Sequence, residues 1–65
     1  MIHIEQLRIS NAFIQYQDHS GNWINAETIP NETAQILWGM ERVASNYSSR
    51  RVRCVDVSGH VLDIL

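Results

Sequence analysis

"YQDHSGNW", residues Tyr16–Trp23, and "CVDVSGHV", residues Cys54–Val61, share the phrase Asp-x-Ser-Gly at an offset of 38 positions. Each copy lies between short runs rich in β-branched and aromatic residues, the setting of a hairpin turn. Asp in first place accepts hydrogen bonds from the turn amides, and Gly in fourth place takes a positive φ that a Cβ would penalise. The pattern predicts a type I turn followed by a left-handed residue in a bulge, made twice.

This turn fixes register, because the Asp pairs with the residue after the Gly. For the second hairpin it sets Val52, Cys54 and Asp56 opposite Ile64, Leu62 and His60 on one face. Arg51, Arg53 and Val55 stand opposite Leu65, Asp63 and Val61 on the other, so that Arg53 and Asp63 form a cross-strand ion pair. For the first hairpin it sets Ile14 and Tyr16 opposite Ala26 and Ile24 on the inner face. Phe13, Gln15 and Gln17 stand opposite Glu27, Asn25 and Trp23 on the outer face.

Between the hairpins, "TIPNETAQILWGMERVASNYSS" (residues 28–49) carries a helix. Asn31 is the expected N-cap, with Glu32 in the first turn beside the positive end of the dipole. Ile36, Leu37, Met40, Val43, Ala44 and Tyr47 recur at helical spacing and form the stripe expected to dock on the sheet. Ser and Asn end the helix at about Asn46 to Ser49, Asn tolerating a left-handed cap. Upstream, Ile2 and Ile4 share one parity and Leu7 and Ile9 the other, which a bulge near Glu5 or Gln6 reconciles. A turn at Ser10 and Asn11 would then join this segment to the next strand. The expected fold is α+β and a single domain over 1–65: an antiparallel sheet of four to five strands, ordered β-β-β-α-β-β, with one helix packed on one face.

A chain of 65 residues buries only about 60% of the surface it exposes when unfolded, so its stability is small. The single Cys54 excludes an internal disulfide, which leaves packing, a metal or association to supply the rest. A net charge of −2 argues against wrapping duplex DNA. No stretch approaches the length of about 20 apolar residues that spans a bilayer, and the first residues do not read as a signal peptide. A bacterial or phage-infected cytoplasm, without membrane attachment, is the expected setting.

Asp18, His19 and Ser20 are the residue types of a hydrolase triad, but chain neighbours in a turn do not stack into a proton relay. Nor is Asp-x-Ser-Gly the aspartic-protease signature, in which the small residues follow Asp directly. Cys54, Asp56 and His60 share a face in the derived register and are the types that ligate a metal. No C-x-x-C spacing supports a metal, and a core Cys beside an Asp56/His60 pair at the hairpin tip accounts for them better, so neither a metal nor any other cofactor is expected. The protein reads as a non-enzyme.

Trp38 lies about 160° from the middle of the helix stripe and shares its side with Ala34, Glu41 and Ser45, while Gly39 flanks it. Trp beside small residues suits close approach by another surface. The leading expectation is a protein-interaction module that self-associates as a homodimer or docks to a larger partner, through Trp38, Ala34, Glu41 and Ser45 or through Trp23. The alternative is single-stranded nucleic acid bound on the outer sheet face by Phe13, Trp23, Arg51 and Arg53, where Val55 and Val61 also lie. Glu27 and Asp63 on the same face weigh against it.

The closing stretch "RVRCVDVSGHVLDIL" (51–65), with "SGNW" (20–23), resembles short bacterial and phage-derived proteins of unknown role in which a hairpin with an Arg-Val-Arg, Val-Asp, Gly, Leu-Asp pattern follows a single helix. The resemblance implies a compact α+β fold and carries over no activity and no catalytic residue.

Overall fold

A computed structural model describes residues 10–65. In order, β1 (Asn11–Gln17), β2 (Trp23–Pro30), α1 (Thr33–Asn46), β3 (Val52–Asp56) and β4 (Val61–Ile64) make one antiparallel sheet, ordered β2-β1-β3-β4, with the helix on one face. The α+β architecture is as expected. The additional strand anticipated upstream of Ser10 lies outside the described residues; Asn11, expected in a turn, is instead the first residue of β1, opposite Pro30, and both edges of β1 are taken, by β2 and β3.

Both Asp-x-Ser-Gly phrases make the same turn. The Asp18 amide donates to the Asn22 carbonyl at 2.8 Å, and the Asp56 amide to the His60 carbonyl at 2.9 Å. The Asp18 carboxylate accepts from the Ser20 and Asn22 amides, and that of Asp56 from the Ser58 and His60 amides, all at 2.9 Å. Gly21 and Gly59 take φ of 90° and 89°, the left-handed region that favours glycine. Because β1 and β3 run antiparallel, with Gln15 opposite Arg53 at the same offset of 38 positions, the two turns lie at opposite ends of the sheet.

Near the turns the ladder follows the expected register, with Gln17 opposite Trp23, Tyr16 opposite Ile24, Gln15 opposite Asn25, and Val55 opposite Val61. Farther out each hairpin carries a bulge. Ala26 is the extra residue in β2, so Ile14 faces Glu27 and Phe13 faces Thr28, not Ala26 and Glu27. Leu62 is the extra residue in β4, so Cys54 faces Asp63 and Arg53 faces Ile64, not Leu62 and Asp63. Each bulge inverts the facing of the strand residues beyond it. Glu27 and Asp63 therefore move from the outer face to the helix side, and the expected Arg53–Asp63 pair does not form.

The core is Ala12, Ile14, Ile29, Ile36, Met40, Val43, Val52 and Cys54, with Tyr16, Ala26 and Ala44 packed at its margin. A fully buried Val, Ile or Met side chain contributes about 1.5–3 kcal/mol, so these few residues carry most of the stability. The helix stripe differs from expectation at two positions. Leu37 is half exposed, and Gly39 is buried in its place. A Cβ on Gly39 would lie 3.0 Å from Ile14 Cγ1, so the missing side chain lets the helix approach its own sheet and not an outside partner. Tyr47 is partly exposed and its ring stacks on that of Tyr16, centroids 3.8 Å apart.

The helix caps also differ. The N-cap is Glu32, in extended backbone and without a side-chain cap bond, not Asn31, and the first turn carries no acidic residue. Helix α1 closes on Tyr47 at φ −129°, not on an Asn in the left-handed region.

Candidate interaction surfaces

The outward side of α1 is the first surface. Trp38 is 55% exposed and Leu37 50%, and Ala34, Glu41 and Ser45 are exposed on the same stripe. All four residues expected on this side are thus brought together. Leu37 is the member missed, because its spacing also fits the core stripe. An open groove of about 620 Å3 runs along Trp38, Glu41, Arg42, Ser45 and Asn46.

Arg42 at the rim is anchored from below. Its Nε and Nη2 donate to the two carboxylate oxygens of Glu27 at 3.0 and 2.8 Å. The Arg42 guanidinium holds the Glu27 carboxyl below the usual range against an opposing contribution from burial, and Glu27 pushes the Arg42 pKa up in return. This fork fixes the helix over β2, and it exists because the Ala26 bulge turns Glu27 inward.

The second surface is the sheet face away from the helix. Arg53 lies over Trp23, its guanidinium carbon 4.0 Å from the ring centroid. Its Nε donates to Gln15 Oε1 at 2.8 Å, and Gln15 Nε2 donates to Asn25 Oδ1 at 2.7 Å. Arg51 is exposed beside this group, its carbonyl accepting from the Gln17 amide. Phe13 and Trp23 are half-buried, Val55 is buried and Val61 is exposed. The nucleic-acid candidates Trp23, Arg51 and Arg53 cluster at the Asp18-turn end, with Phe13 one position beyond Gln15 on the same face of β1.

A third feature is the edge strand β4. The helix packs on β1, β2 and β3 but not on β4, and Val61, Leu62, Ile64 and Leu65 are each at least 41% exposed.

The remaining polar candidates serve the fold. Cys54 is fully buried as a free thiol; burial raises its pKa, and the nearby Asp63 and Asp56 add to the shift. Asp56 is held below the usual carboxyl range first by the His60 amide, with the Ser58 amide and the His60 ring 3.3 Å away adding to it against an opposing effect of burial. His19, the middle residue of the triad-like phrase, lies against the Arg50 guanidinium. Among the described residues, no group of three or more His, Cys, Asp or Glu is placed to hold a metal ion. Nor is any helix among them long and apolar enough to cross a membrane. The chain matches no protein-family model, and neither a curated protein nor a solved structure matches it.

Proposed function

We propose that this chain is a small non-catalytic interaction module whose outward helix face binds a second copy of itself. The observation that carries this reading is the exposure of Trp38, 55%, on the helix side opposite the core, with Leu37, 50% exposed, on its flank. Two large exposed apolar side chains on so small a domain favour burial against a partner, and Trp is an interface anchor. The stripe Ala34, Trp38, Glu41, Ser45 has four-three-four spacing, which reads the same in both directions. An antiparallel copy therefore sets Ala34 against Ser45, where both side chains are small, and Trp38 against Glu41, whose carboxylate accepts from the indole N–H. The Asp18 and Asp56 carboxylates are committed to turn amides, which supports a role without catalysis. A buried lone thiol suits a reducing bacterial or phage-infected cytoplasm.

Sedimentation over a range of concentrations tests the reading. A dimer that forms with rising concentration and is lost in Trp38→Ala supports it. A monomer at every concentration, unchanged by the substitution, removes self-association and leaves only docking to a different protein.

A further inference from the structure

We propose that the sheet face turned away from the helix binds single-stranded nucleic acid by stacking on Trp23 and Arg53, with Arg51 and Arg53 meeting the phosphates. Charge segregation carries the inference. The three carboxylates within the described strands, Glu27, Asp56 and Asp63, fall opposite Ile14, Ala12 and Cys54, all helix-side positions. Arg51 and Arg53 fall on the other side, with Gln15, Gln17, Asn25, Trp23 and Phe13. Although the whole chain is acidic at −2, this face carries cations and amides with no strand carboxylate among the described residues. Two bulges produce this, since an unbulged ladder would set Glu27 opposite Phe13 and Asp63 opposite Arg53.

The geometry is prearranged for stacking. The chain from Asn25 through Gln15 to Arg53 Nε holds the guanidinium over the indole, its carbon 4.0 Å from the ring centroid. Bases stack on aromatic rings and on guanidinium planes alike, and an unpaired strand offers its base faces where a duplex does not. Two arginines are too few to hold duplex DNA, whose binders present a strongly basic face. They suit a few exposed nucleotides, with a salt dependence of about −1.4 in log–log slope for two phosphate contacts on a single strand. The site is independent of the helix face. Pairing through the helices would leave both outer sheet faces open.

The test is fluorescence anisotropy of labelled oligothymidylate, free and annealed into a duplex, at low salt. Expected are binding of the single strand over the duplex, loss of it with Arg51→Glu, and at least about fivefold weakening with Trp23→Ala. Asn25→Asp keeps the oxygen that accepts from Gln15 and adds only a negative charge to the face, so it weakens binding with the fold intact. Asn31→Asp adds the same charge outside the face and leaves binding unchanged. No anisotropy change with any strand overturns the proposal, as does binding indifferent to both Arg51→Glu and Asn25→Asp. Equal binding of polyglutamate overturns it too, by making the face a general anion site.

Discussion

Glu27 stands across the ladder from Ile14 and accepts both Nε and Nη2 of Arg42, so one carboxylate joins the edge strand β2 to the helix above it. Its position depends on Ala26, the residue that has no partner of its own in β1.

Deleting Ala26 tests this arrangement. With the bulge, removal leaves Gln15 opposite Asn25 and Ile14 opposite Glu27 in an unbroken ladder, and the loss is a half-buried methyl, about 1 kcal/mol. In an unbulged ladder the same deletion would throw Ile29 out of the core and abolish folding. A urea titration separates the two, a small shift in midpoint being expected.

The turns are legible in the sequence because their determinants are local: Asp18 and Asp56 need only their own amides, and Gly21 and Gly59 only a positive φ. The bulges are harder to read. In β2 a signal exists, since Ile24 and Ala26 share one parity and Ile29, a core residue, has the other. In β4 there is none, because Val61, Leu62, Ile64 and Leu65 are apolar at both parities. From the sequence the helix face reads slightly rotated, toward Leu37, because Gly39 contributes no hydrophobic signal although it sits tightly against the sheet. Of the interaction surfaces, the clustering of Trp38 with Ala34, Glu41 and Ser45 comes from helical period alone, whereas the acid-free sheet face depends on the bulges.

Gly39→Ala should destabilise the protein despite the better helix former. The new Cβ meets Ile14 Cγ1 at 3.0 Å and Cδ1 at 3.3 Å, and Ile14 is fully buried with little room to yield. Overpacking of about 1–3 kcal/mol outweighs a helix-propensity gain of about 1, for a net loss of up to about 2 kcal/mol by urea denaturation. A stabilised variant would mean that the helix sits farther from β1.

Acid should weaken the second turn. The folded Asp56 carboxyl lies below its ordinary value of 3.8, so its contribution is present above that pH and is lost as pH falls through the depressed folded value. Thermal midpoints should fall below about pH 4, and Asp56→Asn should flatten this part of the profile. An unchanged acid slope in the variant would show that the amides of Ser58 and His60 do not hold the charge.

Arg53 and Trp23 should show coupling in a double-mutant cycle. A guanidinium 4.0 Å from an indole centroid at a half-exposed site is worth about 0.5–1 kcal/mol. Arg53→Ala and Trp23→Ala combined should therefore cost less than the sum of the two by that amount, and strict additivity would argue against the contact.

The most direct measurement is nuclear Overhauser contacts from the Glu27 and Asp63 side chains in solution. Glu27 is expected to show cross-peaks to Arg42 and Ile14, and Asp63 to Cys54. Cross-peaks from Glu27 to Phe13 and from Asp63 to Arg53 would return both carboxylates to the outer face and contradict the account.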